Sequence, residues 1–385
     1  FSNVPNTSAY TWQAILSCHT SHGKHDSTLA LYHDMQCYGV IPNEFIYPCI
    51  LKACGCMVAP EEGRLVHDHI MRNETESVLL VGNTLIDMYM KCGLLVEAHE
   101  VLNNLLFRGI VSWNAQIAGY VKHGFVQEAL AAFNQMRYEG IFPDAITFAC
   151  ILKACGTTSR ATNRGCELHT EIYTMGLLER DLVVGNALVD MYAKCGLLGK
   201  ARQVFDTLPV KDAVSWTSLI TGYAMHGQGE QALSCFELME LNGITPDDVT
   251  LLCALKACSS VGEMEKGQKI HAEIARKGLL ERDLVGNTLV DMYAKCGLIL
   301  KAHEMFDKLQ VQDVVSWNAL IGGYADHGRG EEALDLFNQM QHKGIARDAI
   351  TFVCALKACG MIGAPNKGRK IHDEITGNGL LKKDF

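Results

Sequence analysis

One short segment returns along the chain at a fixed interval. DMYAKCG occupies 190–196 and again 291–297, and DMYMKCG occupies 87–93. Trp12, Trp113, Trp216 and Trp317 are separated by 101, 103 and 101 residues, and the cysteines of four KAC triplets (Cys54, Cys155, Cys258, Cys359) by the same gaps. A unit of about 102 residues therefore recurs more than three times within 385. Self-similarity at a fixed period belongs to stacked supersecondary units, each contacting only its neighbours.

Each unit divides again into three related pieces of 35, about 36 and 31 residues. Within a piece the apolar period is helical. Trp113, Ile117, Tyr120 and Val121 share one face of a first helix, and Ala129, Leu130, Phe133 and Met136 share one face of a second. Gly124 and Gly140 punctuate the two, as residues tolerant of positive φ should. Strand alternation is absent. A piece this short cannot bury its apolar stripe alone, whereas stacked pieces can. The sequence predicts an all-α chain, an α-solenoid of helix-turn-helix repeats forming one continuous domain.

Composition narrows the function. Hydrophobic residues make up 48% and charged residues 20%, ordinary for an ordered chain. No run of about 18 apolar residues predicts a membrane-spanning helix. A net charge of −9 argues against binding nucleic acid by bulk electrostatics, so a nucleic-acid reader would need its basic residues along one path. The chain begins at Phe1 without an amphipathic basic leader, and reads as a fragment or a processed form. Sixteen cysteines without a C-x-x-C pair predict reduced, small, mostly buried thiols in a non-secretory compartment.

Enzyme signatures fail on context. His169-Thr-Glu171, His271-Ala-Glu273 and His372-Asp-Glu374 match the H-x-E of nucleobase deaminases, but no P-C-x-x-C follows any of them. Each copy sits at the same place in its repeat, which predicts a structural role. Three KCG cysteines 101–103 residues apart cannot converge on one metal ion. No phosphate loop and no nucleophile elbow is present. Neither enzyme activity, metal nor cofactor is expected.

The alternation of lengths, together with VSWN, LKAC…IH and GNALVDMYAKCG, resembles the pentatricopeptide repeat family, in its plant-type subclass of P, L and S motifs. The resemblance covers residues 9–384 and divides them into eleven motifs, after an N-terminal flank at 1–8. The P motifs are 9–43, 110–144, 213–247 and 314–348. The L motifs are 44–78, 145–181, 248–282 and 349–384. The S motifs are 79–109, 182–212 and 283–313. The resemblance implies a right-handed superhelix that binds single-stranded RNA, one base per repeat, in mitochondria or chloroplasts. Proteins of the subclass select a cytidine for conversion to uridine. Their catalysis resides in a C-terminal deaminase-like extension that these residues do not contain, so a deaminase-domain or accessory editing protein is an implied partner.

In that family the fifth and last residues of a motif choose the base. Ionised Asp only accepts hydrogen bonds, which suits the imino N–H of uracil or guanine. Carried over residue by residue, Asn114 with Asp144, Asn186 with Asp212, Asn287 with Asp313 and Asn318 with Asp348 read uracil. Thr217 with Asp247 reads guanine. Asn83, paired with Gly109, keeps only a pyrimidine preference, and Gln13 with Asn43 is unassigned. The L motifs carry Pro48, Ala149, Leu252 and Val353 at the fifth position and cannot hydrogen-bond a base there. The expected target is N-N-Y-U-N-U-G-N-U-U-N. The apolar second residues Val111, Val183, Val214, Leu284 and Val315, with Ile146, Val249 and Ile350 in L motifs, are candidates to stack on bases. Lys91, Lys122, Lys194 and Lys295, at the thirteenth position, face the phosphate path by resemblance. Lys52, Lys153, Lys256 and Lys357 of the KAC triplets have no assignment.

A plainer reading stands beside each role. The aspartates cap the following helix, the second residues belong to the core, and the lysines are solvated at helix ends. The competing function is a protein-binding helical-repeat scaffold. Polar variation confined to the fifth and last positions favours base reading.

Overall fold

The computed structural model describes residues 8–73, 78–280 and 282–377. The flank at 1–7 and the last motif beyond 377 lie outside the described residues. Among them the chain forms twenty-three α-helices, one short 3-10 turn and no strand. The fold is an all-α solenoid of helix pairs.

First helices begin where the apolar period begins, for example at Leu79, Ile110, Ala145, Leu182, Ala213 and Val314. Most run 13 residues, and a tight turn then starts the second helix. In the pair Ile110–Lys122 and Val126–Tyr138, Gly124 and Gly140 both take φ of 79° and end their helices in the left-handed region. The piece at 145–181 is longest because it adds a four-residue helix, Leu177–Arg180, after its pair.

Two compact units make up the chain, Phe1–Cys195 and Gly196–Phe385. Within each unit, first helices pack beside first helices of the adjoining motifs, and second helices lie against them on one side. Of the residues that helical periodicity picks out, Trp113, Ile117, Ala129, Phe133 and Met136 are buried in the seam, whereas Tyr120, Val121 and Leu130 are half-buried at its margin. Edge-on aromatic contacts lock consecutive motifs, with Phe205 against Trp216 at 4.6 Å and Phe306 against Trp317 at 4.8 Å between ring centroids. At Gly323 the helix Val314–Asp326 approaches Asp283–Lys295 so closely that a Cβ would collide with Ala294.

The H-x-E and DMY sequences meet here. His169 pairs with the Tyr192 hydroxyl at 2.9 Å and His271 with that of Tyr293 at 2.7 Å. The histidine of one motif and the DMY tyrosine of the next form a packing joint, a bond of about 1 kcal/mol. Cysteines depart from expectation. All sixteen are free thiols, but only Cys54, Cys155, Cys235, Cys258 and Cys359 are buried, Cys18, Cys37 and Cys56 are exposed, and the rest are half-buried. Among the eight half-buried thiols, Cys92, Cys195 and Cys296 sit at the C-terminal ends of their helices, where one side of a small residue stays open. Burial pushes the Cys54 and Cys258 thiols up to about 12 and Cys155 to about 11, so these are packing groups and not nucleophiles.

Candidate functional site

On a helix that turns about 100° per residue, positions 2, 5, 9 and 13 of a first helix fall within an arc of roughly 80°. That arc is the face the packing leaves open. The second residues line it. Val111, Val183, Val214, Leu284 and Val315 are 56–63% exposed, and Ile146, Val249 and Ile350 are 51–60% exposed. They are not core residues. Tyr10, Phe45 and Leu80, which the sequence reading passed over, continue the same row and are also exposed. Their membership was legible from the motif boundaries alone.

Three residues further on, at the margin of that face, the polar fifth side chains turn inward, Asn114 half-buried and Asn287 and Asn318 buried, and meet the last residue of their own motif. The Asn318 amide donates to Asp348 Oδ1 at 2.9 Å, and the Asn114 amide donates to Asp144 Oδ1 at 3.1 Å. Asn287 donates to both oxygens of Asp313 at 3.1 and 3.0 Å. The same aspartates cap the next helix, with Asp348 accepting from the Thr351 backbone N–H at 2.8 Å and Asp313 from that of Ser316 at 2.9 Å. Capping and pairing are therefore simultaneous, not alternatives. Asn186 and Asp212 fall in separately described units; Asp212 caps its own helix through the Ser215 N–H at 2.9 Å.

A residue that the sequence reading missed clamps two of these pairs. The buried Thr351 hydroxyl lies 2.7 Å from Asn318 Oδ1 and 2.8 Å from Asp348 Oδ1, and Thr147 lies 2.6 and 2.8 Å from Asn114 and Asp144. At the guanine-assigned pair, Thr250 stands between the Thr217 hydroxyl and Asp247 Oδ1, at 2.6 Å from each, so Thr217 reaches the carboxylate only through it. The signal was present as Asp-x-x-Thr, a capping-box spacing, at the entry to three L motifs. Where Ser replaces Thr the hydroxyl turns to the backbone, as Ser316 does to the Asp313 carbonyl at 2.9 Å, and the buried Oδ1 of Asn287 receives no donor. Asn83 Oδ1, opposite Gly109, is likewise buried without a donor. In the first motif the Asn43 amide donates to Gln13 Oε1 at 3.3 Å, so the unassigned pair also meets, with the direction of donation reversed.

Burial alone would raise the Asp348 carboxyl. Donation from the Thr351 backbone, the Thr351 hydroxyl and the Asn318 amide outweighs it and holds the group below the usual carboxylate value. Asp144 behaves alike, with Thr147 and Asn114 as donors. Both stay ionised and acceptor-only near neutral pH.

The rows converge in two grooves, one in each unit. A groove of about 530 Å³ is lined by Asn287, Asn318 and Asp348, flanked by Leu284, Val315 and Ile350, with Lys256, Lys295 and Lys357 beside them. A groove of about 490 Å³ in the first unit is lined by Asn83, Asn114, Leu80, Val111, Ile146 and Lys52. The thirteenth-position lysines arrive with partners. Lys91 pairs with Asp87 and Lys194 with Asp190 at 2.6 Å, and Lys295 with Asp291 at 3.0 Å. The acid and the lysine of DMYAKCG are thus one i,i+4 ion pair. Lys122 donates to the Lys91 carbonyl at 3.5 Å. Among the described residues, no three His, Cys, Asp or Glu side chains converge as metal ligands, and no helix is long and apolar enough to cross a membrane.

Comparison with known proteins agrees with this architecture. The pattern described as "PPR repeat family" matches residues 108–157, 211–260 and 312–361, and that described as "PPR repeat" matches 10–40, 83–110, 186–211 and 287–314. A mitochondrial pentatricopeptide repeat-containing protein of Arabidopsis thaliana is 35% identical over 97% of this chain and 48% of its own length. A chloroplastic one from the same plant is 32% identical over 100% of this chain and 44% of its own. The chain belongs to the pentatricopeptide repeat family, and it spans about half the length of those relatives. Its fold is similar to that of maize PPR10, with a TM-score of 0.68 at 20% identity over 98% of this chain and 59% of that one. PPR10 in complex with an 18-nt psaJ RNA element gives 0.71 at 19% identity, over 94% of this chain and 59% of that one.

Proposed function

We propose that the chain binds single-stranded RNA in a sequence-dependent way, one base per repeat, and that its motifs are of the P, L and S types. The observation that carries this is the groove in which ionised Asp348, held by Asn318, lies between the exposed apolar side chains of Val315 and Ile350. Apolar surface accepts the faces of a base, and an acceptor-only carboxylate selects an imino N–H on its edge. The RNA complex of PPR10 supports the same reading through likeness of fold.

On this reading Asn114/Asp144, Asn186/Asp212, Asn287/Asp313 and Asn318/Asp348 take uracil, Thr217/Asp247 takes guanine, and Asn83 takes a pyrimidine. Lys91, Lys122, Lys194 and Lys295 lie along the phosphate path. The longer protein to which these repeats correspond acts in a mitochondrion or chloroplast, as the names of the relatives suggest. Its role is target recognition for C-to-U editing, with a deaminase-domain or accessory protein as partner. The exposed row of apolar second residues and the polar pairs beneath it favour RNA over a peptide, which would need variation across the whole face.

The test is binding to single-stranded RNA carrying NNYUNUGNUUN, a scrambled RNA and the matching DNA, over a salt series. Preference for the designed RNA supports both the reading and the register. Equal, steeply salt-dependent binding to all three refutes the base assignments, and no binding favours the scaffold.

A further inference from the structure

The KAC lysines are the one recurring motif that base reading leaves without a role, and the grooves give them one. Each is the ninth residue of an L motif: Lys52, Lys153, Lys256 and Lys357. All four are exposed, and three of them line the two grooves. At the same position the S motifs carry Asp87, Asp190 and Asp291, and the P motifs carry small residues.

The charges in each groove can be paired off. In the second unit Lys295 is matched by Asp291, and Lys357 by Asp326 of the preceding P motif. That leaves Lys256 as the groove's ammonium, and Asp348 as its carboxylate, without an ion-pair partner among the described residues. In the first unit Asp87 is matched by Lys91, and Lys52 is left over among the described residues. An Asp–Lys pair has no net charge, so a phosphate approaching it meets little attraction until it displaces the aspartate. A lone ammonium contributes a full charge and releases a counterion on contact. In a chain of net charge −9, these lysines supply the positive path that RNA binding requires.

Resting on the RNA-binding reading above, we infer that the L motifs hold the RNA by its phosphodiester backbone, through Lys52, Lys153 and Lys256. Their fifth residues (Pro48, Ala149, Leu252) cannot bond a base edge, and the lysine one helical turn further along the same face replaces that contact with a phosphate contact. Lys357 is held in reserve by Asp326, the only acidic residue at the thirteenth position of a P motif.

Two variants of the chain test this, each by anisotropy with fluorescent NNYUNUGNUUN and scrambled RNA from low to moderate salt. Changing Lys52, Lys153 and Lys256 together to Gln should reduce the slope of log affinity against log salt by about 2, at roughly 0.7 per contact. The preference for the designed over the scrambled RNA should survive. Asp326→Asn should raise the slope by about 0.7 as Lys357 is released. The inference is overturned if the unaltered chain shows its sequence preference while both variants keep its slope. It falls together with the RNA-binding reading if the unaltered chain binds neither RNA.

Discussion

Replacing Asp348 by Asn isolates base reading from helix capping. The hydrogen bonds that Asp348 accepts from the Asn318 amide, the Thr351 N–H and the Thr351 hydroxyl all land on Oδ1, at 2.9, 2.8 and 2.8 Å. Asn is as good an N-cap as Asp, so its single oxygen takes the Oδ1 place. Its NH₂ then stands where Oδ2 was, on the groove side. An acceptor has become a donor. Uracil presents an N–H at its N3 and now faces a donor, at a cost of about 1–3 kcal/mol for the unmet pair, or roughly 5- to 150-fold in affinity. Cytosine presents an acceptor at N3 and gains the bond. Losing the carboxylate charge at the helix start costs only about 0.3–1 kcal/mol of stability. The assay is competition between RNAs that differ only at the tenth base, with circular-dichroism melting as the fold control. Uracil preference retained by Asp348→Asn would refute the reasoning. So would a loss of affinity equal for all four bases.

Four further outcomes follow from the same geometry. Thr351→Val removes the buried hydroxyl that bridges Asn318 and Asp348; it should lower stability by about 1–3 kcal/mol in urea unfolding and blunt discrimination at that base. Val315→Ser, at a side chain 56% exposed, should leave stability within about 0.5 kcal/mol yet weaken binding to every RNA alike, as titration with designed and scrambled probes would reveal. The Asp348 carboxyl titrates in the folded chain below its unfolded value of about 3.9, so its contribution is complete above that pH and is lost as pH falls through the folded value. The stability gap between the chain and Asp348→Ala, about 1 kcal/mol at neutral pH, should therefore narrow below about pH 4 in urea unfolding. Iodoacetamide at pH 8 should label exposed Cys18, Cys37 and Cys56 well before Cys54, Cys155 and Cys258, whose thiols burial holds protonated; peptide mass spectrometry reads the order.

Much of this was legible residue by residue. Trp113, Ile117 and Phe133 announce a buried helical face, and Gly124 and Gly140 announce its ends, because periodicity and positive φ are local properties. The Asp-x-x-Thr spacing at 144–147, 247–250 and 348–351 carried the capping boxes and was passed over as sequence. The cysteines misled: KAC and KCG look equally buried in a string of letters, yet Cys54 is enclosed and Cys92 lies half open at a helix end. Whether Val315 was core or surface could not be read either, since an apolar residue on a helix fits both.

The sequence by itself determined the repeat, the helix pairs and the family. Each of these depends on contacts within about 35 residues of chain, whose rules of periodicity, capping and turn chemistry act locally. Only the tertiary structure decided which groups far apart in the chain meet. Asn318 reaches a carboxylate 30 residues away, Thr351 closes the triangle, Asp326 claims Lys357, and Lys52 and Lys256 are left without a counter-ion among the described residues. Those outcomes depend on the distance between neighbouring helices to within an ångström or so, because hydrogen bonds and ion pairs exist only at short range. No one-dimensional pattern encodes that distance; the packing of side chains between stacked helices sets it.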